Sequence, residues 1–249
     1  MPAAHLARRT AHGIATGLVA LLLGCASSAP TPHGQVQGAP ASRDELVQSE
    51  LNRTATLAMR DNLHSLVRLA DKLYRRNPAQ WRAGGAASRE AALQRLQTAL
   101  DLRQPWPPLQ GRRDIDAMAF AMAPQFAGDR VAALTLATAD MLVTAHGGKT
   151  TFYLLDNLDA QRLYNAARNV EIAAWILAQR RDAQGAPLLR ADEIAADGTR
   201  NLSFEREFGK IVGRLDLLAE ISDERMRRAG ISYVQGLFGA GLLQFLPVR

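Results

Sequence analysis

Residues 131–145 read VAALTLATADMLVTA and hold a single charge, Asp140. A helix that is apolar on every side has to be surrounded by protein. Fifteen residues fall short of the roughly 20 needed to span a bilayer, so the surroundings are other parts of the same fold rather than lipid. Asp129 just before it has the side chain of a helix N-cap, and Gly147-Gly148 just after it is a helix stop. A chain carrying this element needs several further helices to bury it.

The rest of the sequence supplies them. Ser42-Arg43-Asp44-Glu45 matches a capping box, which predicts a helix starting there. Leu63, Leu66, Val67, Ala70, Leu73 and Tyr74 follow at spacings of three and four, one face of that helix, up to the stop at Asn77-Pro78. Ser88 opens a second helix with Leu93, Leu96 and Leu100, which ends before Pro105-Trp106-Pro107-Pro108. A short third runs from about Asp114 to Met122. Asp159 caps another, carrying Leu163, Ala167, Val170, Ala174 and Leu177. From Ser203 a long helix places Phe204, Phe208, Ile211, Leu215 and Leu218 in a seam that needs partner helices. No long run alternates apolar and polar residues. The expected fold is all-α, a bundle of six or seven helices, with room for one small β-hairpin near 184–202, where Asp, Gly and Pro gather. Residues 42–249 suffice for one domain with a core that needs no covalent staples.

The beginning of the chain reads differently. Residues 1–24 contain no acid; Arg8-Arg9 precedes an apolar run from Ile14 to Leu23. The run ends Leu22-Leu23-Gly24-Cys25-Ala26. This resembles the lipobox of bacterial lipoproteins, with Leu22, Gly24 and Cys25 in matching positions. The resemblance covers residues 1–25 only. It implies a signal peptide over 1–24, and Cys25 as the first mature residue, carrying lipid on its sulfur and its amine. Two or more acyl chains give a stable anchor where one is marginal. Ala26, in place of the Asp that holds many members at the inner membrane, implies the periplasmic side of the outer membrane. Residues 25–41, rich in Pro, Gly, Ser and Ala and without charge, read as a flexible tether.

The chemistry-bearing residues are few. Cys25 is the only cysteine, which excludes a disulfide framework and any multi-cysteine metal site. No zinc-type histidine spacing and no acidic calcium loop appears, and no motif asks for a cofactor. His146-Gly147-Gly148-Lys149-Thr150 looks like a phosphate loop but lacks its first glycine, Val143 standing there, and it follows a helix instead of a strand. Arginine supplies 27 of the 30 basic residues, scattered among acids as in Glu205-Arg206-Glu207. That is the pattern of solvated helix faces, not of a nucleic-acid surface. Three polar residues stand out as candidates. Asp140 lies in the buried helix and Glu171 on the edge of an apolar face; each is expected to pair with an arginine or to accept backbone or amide hydrogens, or else the two would serve as acid and base across a cleft. His146, in the last turn of the core helix, would favour that helix end when protonated.

The last 20 residues before Arg249, Ala229 to Val248, carry no charge. Val234, Leu237, Phe238, Leu242 and Phe245 fit one helix face. A terminal helix packed into the core is the first expectation; a protein-docking helix and a membrane-touching one are the others. The reading as a whole is a lipid-anchored envelope protein that acts by binding or scaffolding, with the membrane and an envelope protein as partners. An envelope hydrolase, or a carrier of a hydrophobic ligand held between helices, is the alternative.

Overall fold

The computed structural model describes Gly38, residues 42–191, Gly198 and residues 202–243, with backbone alone for 238–243. Cys25, the signal peptide, the tether over 25–41 apart from Gly38 and most of 192–201 lie outside the described residues. The chain divides into two units, Met1–Arg43 and Asp44–Arg249, and every α-helix described belongs to the second. There are seven: α1 (Glu50–Arg76), α2 (Pro78–Ala83), α3 (Arg89–Asp101), α4 (Asp114–Ala121), α5 (Arg130–Ala145), α6 (Ala160–Gln179) and α7 (Ser203–Leu243). No strand occurs among the described residues. Near the expected hairpin there is one isolated antiparallel bridge, Arg181 with Pro187, closed by a turn over 182–185.

Helix α5 is the centre. Twelve of its sixteen residues are buried, and α1, α2, α3, α4 and α6 all pack against it. Its alanines at 132, 133, 137 and 139 let those helices approach closely. The carboxylate of Asp129 caps it, accepting from the Ala132 amide at 3.0 Å. The other oxygen of the same carboxylate accepts from the buried Tyr74 hydroxyl at 2.6 Å, which ties α5 to the end of α1. Next to it, Arg130 is buried without a carboxylate. Its guanidinium donates to the carbonyls of Ala121, Ala123, Pro124 and Phe126, at 2.7 to 3.1 Å. Except for Ala123, which also accepts from the Phe126 amide, these are orphan acceptors at the C-terminal end of α4 and in the turn after it, so one side chain supplies the donors that water would otherwise provide.

Two boundaries differ from the sequence reading, each for a visible reason. Helix α1 starts at Glu50, with the Ser49 hydroxyl accepting from the Asn52 amide, and not at Ser42. Residues 43–47 form a 3-10 turn instead. The backbone just after it is committed to the 152–154 loop: Leu154 donates to the Val47 carbonyl at 2.9 Å and the Gln48 side chain donates to the Phe152 carbonyl at 2.8 Å. At the other end, Pro78 stops α1 and also begins α2, taking the first-turn position where a proline loses nothing. The Asn77 side chain joins that corner to the 187–191 segment, accepting from the Arg190 amide and donating to its carbonyl.

The seam of α7 is buried as expected at Phe204, Phe208, Ile211, Leu215 and Leu218. Polar contacts set its register against α1, to which it runs antiparallel. Lys72 donates to the Ser203 carbonyl, Arg68 pairs with Glu207 at 3.3 Å, and Arg214 reaches the Asp61 carbonyl and Asn62. Burial pushes the Glu207 carboxyl up, but Lys210, Arg68 and Lys72 outweigh it and hold the group below the usual carboxylate range.

Replacing Arg130 by Met keeps most of the aliphatic volume but takes the donor from the carbonyls of Ala121, Pro124 and Phe126. The expected cost is on the order of 3 kcal/mol. It would be read as a lowered urea midpoint at unchanged slope.

Candidate functional site

A cleft of about 510 Å³ opens beside α5. Its walls are the end of α3, the loop over 103–113, the first turn of α4, the outer side of α5 and the Gly148–Thr150 loop. The floor is apolar, formed by Leu63, Leu100, Leu109, Ala117, Leu136 and Val143. The ionisable residues that line it are Arg103, Arg112, Arg113 and Asp140, three cations against one anion.

The loop that builds the mouth is conformationally unusual. Arg103, Gln110 and Asp114 have φ of 49°, 54° and 51°, and they are the only non-glycine residues with positive φ among those described. All three lie in or directly beside this wall. Backbone in this region costs a non-glycine residue on the order of 1 kcal/mol, and the surrounding packing has to hold it. The prolines at 105, 107 and 108 stiffen the intervening turn. Trp106 lines the cleft, with the Arg95 guanidinium 4.7 Å from its ring centroid, and its indole N–H has no acceptor.

Asp140 belongs to this site, in a structural role. Its carboxylate forms a bidentate pair with Arg113, at 2.6 and 3.1 Å, and accepts from the Asp114 amide at 3.2 Å. It therefore supplies, from α5, the acceptor for the first amide of α4, Arg113 being an N-cap residue with no capping side chain. The pair holds the Arg113 guanidinium above its ordinary range. Glu171 is exposed and pairs with Arg168 on its own helix at 3.1 Å; Arg168 also pairs with Asp216 of α7 at 2.8 Å. Glu171 does not line the cleft, so the two carboxylates are not brought together across it.

His146 corrects the sequence reading. The ring is buried against Phe152, with centroids 5.7 Å apart, and Nδ1 lies 2.7 Å from the Leu142 carbonyl, where it donates. Nε2 is buried without a partner. Burial pushes the imidazole below its ordinary value, and the bond to Leu142 offsets only part of this. His146 is thus neutral in the fold and does not act as a cation at the helix end. Gly147 and Gly148, with φ of 70° and 79°, are the helix stop that the phosphate-loop resemblance hides. Among the described residues no group of three or more His, Cys, Asp or Glu is placed to hold a metal ion.

Comparison with protein-family models, curated proteins and solved structures found no match.

Sequence reasoning missed Arg103, Arg112 and Trp106. The signal was present as a Trp among prolines followed by Arg112-Arg113, in a segment read only as a helix stop.

The depressed imidazole has a defined consequence for stability. The unfolded chain takes up a proton at His146 near pH 6.5, whereas the folded chain resists it, so the contribution is present above that pH and is lost as pH falls below it. Between pH 7 and 5 the natural protein should lose stability relative to His146→Gln. The limiting slope is about 1.4 kcal/mol per pH unit, read from denaturant unfolding at each pH.

Proposed function

We propose that this is a lipid-anchored protein, held through Cys25 at the periplasmic side of the outer membrane, that works by binding another envelope protein along the C-terminal half of α7. The lipobox-like residues Leu22, Gly24 and Cys25 support the anchor, and the geometry of α7 supports the mode of action.

The observation that carries the reading is that the α7 seam continues where its partners stop. From Ser203 onward each step along α7 is matched by a step back along α1. At that register Glu50, the first residue of α1, falls opposite Arg225. Helix α6 also runs antiparallel to α7. Its far end lies with Leu189–Ala191, beside Asn77 and Arg76 at the end of α1, and Arg168 pairs with Asp216. The same counting puts Ala160, where α6 begins, opposite Glu224. Both neighbours therefore run out within one residue of each other. Helix α7 does not.

Beyond that point the seam spacing persists. Ser222 is buried, and Met226, Tyr233 and Leu237 follow in line with it at helical spacing, exposed to 60%, 70% and 60%. Ala229 and Gly230 on the same side leave room for close approach by another helix. The first expectation for this segment, a terminal helix packed into the core, is thus overturned over 226–237; residues 244–249 lie outside those described. No helix among the described residues is long and apolar enough to cross a membrane. A seam of this kind is completed by an apolar helix face from a partner, in the helix-in-groove manner.

The test is a photo-crosslinkable residue placed at Tyr233 or Leu237 in the intact envelope, with exposed Tyr164 on α6 as the control position. A protein adduct of discrete mass at 233 and 237, absent at 164 and lost with Leu237→Glu, is expected; an adduct of doubled mass identifies the partner as a second copy. Adducts with lipid alone would replace docking by membrane contact. Mass analysis of the native protein should find Cys25 acylated, and a bare thiol there would remove the anchor from the proposal.

A further inference from the structure

We propose that the cleft between α3, α4 and α5 is a binding site for a single-chain amphiphile with an anionic head, independent of the docking surface on α7. Four observations converge on it. Its volume of about 510 Å³ lies within the roughly 300–1,000 Å³ range of small-molecule sites. Its floor is a set of aliphatic side chains contributed by four helices and a loop, which suits a hydrocarbon chain and offers a sugar or nucleotide little to bond.

The second observation is the state of the arginines at the mouth. Arg113 is spent on Asp140. Arg103 and Arg112 are not spent on any carboxylate among the described residues. Arg103 donates to the Gly148 carbonyl at 2.7 Å, and Arg112 donates to the Gln110 side chain at 2.7 Å while its guanidinium stacks 3.9 Å from the Phe120 ring centroid. Each is oriented by neutral groups that leave its charge uncompensated and part of its donor fork free. Guanidinium groups held in this way favour carboxylate and phosphate oxygens.

The third is the Trp106 indole N–H, a donor without an acceptor in the wall of the same cleft. The fourth is the backbone. Positive φ at Arg103, Gln110 and Asp114 is held at the residue that carries one cation and beside those that carry the others. The strain fixes where these groups sit before any ligand arrives. A chain laid on Leu63, Leu100, Leu136 and Val143, with its head at Arg103 and Arg112, satisfies the apolar floor and the excess charge together.

The experiment uses the full chain carrying Cys25→Ser, so that no attached acyl chain competes. A dansyl-labelled undecanoate is the fluorescent probe. Dodecanoate and dodecyl phosphate are the anionic competitors, dodecyltrimethylammonium the cationic one, and all are kept below their micellar concentrations. Probe binding is expected, with the anionic competitors displacing it at concentrations at least tenfold lower than the cationic one. The double variant Arg103→Gln/Arg112→Gln changes two exposed side chains, so its unfolding midpoint should match the parent, and it should lose that tenfold preference. Val143→Trp, which fills the cleft, should abolish probe binding. Tyr233→Glu/Leu237→Glu should leave binding intact. The proposal is overturned if the probe does not bind, if head charge makes no difference, or if binding survives the cleft variants and is lost with the α7 pair.

Discussion

The fold depends on how the first two residues of the α5 region are satisfied. The N-terminal end of α5 is buried away from water, so the orphan amides and carbonyls around it must be met by protein. Asp129 and Arg130 do this for four helices at once. The Asp129 carboxylate caps α5 and receives the Tyr74 hydroxyl from α1. The Arg130 amide donates to the Gln80 side chain of α2, and its guanidinium closes the end of α4. Burial pushes the Asp129 carboxyl above its ordinary range and holds the Tyr74 phenol far above its own. The phenol therefore stays a donor throughout the working pH range, and the α1–α5 tie does not titrate through it.

The elements that could be read in the sequence are those whose periodicity and caps agree. Asp129, Ser88 and Asp159 are N-caps in the structure, each accepting an amide three residues on. The α7 seam was legible because its 4-and-3 spacing is uninterrupted. Tertiary contacts decided the rest. Ser42-Arg43-Asp44-Glu45 satisfies a capping box locally, yet contacts more than 100 residues away, at Phe152 and Leu154, take the chain out of helix before Ser49. The polar side of α1 was equally hidden. Asn52, Asn62 and Ser65 are buried between apolar positions because α7 and the 153–156 loop bring partners to them.

The candidate site was legible only through Asp140. A lone carboxylate in an apolar helix signals a partner, but not which of 27 arginines it will be. Arg113 takes it because the loop over 103–113 folds back across α5, and that path depends on left-handed residues at 103, 110 and 114. None of the three is a glycine, so composition gave no warning. Glu171 and His146 drew attention for sound reasons and resolve into a surface ion pair and a buried neutral ring. Lone polar groups at the margins of apolar faces commonly end in this way.

The cleft and the exposed half of α7 lie on different parts of the bundle, and no α7 residue lines the cleft. Helix α1 lines the cleft and packs against the first half of α7. Leu63 contributes to the cleft floor, and Asn62, the residue before it, accepts from Arg214 of α7 at 3.1 Å. Successive residues on a helix point about 100° apart, so one turn of α1 faces the cleft on one side and α7 on the other. The Arg214 guanidinium also contacts Ser65 and the Asp61 carbonyl. Those three contacts lie within about one helical turn of α1 and fix the register of α7 against it.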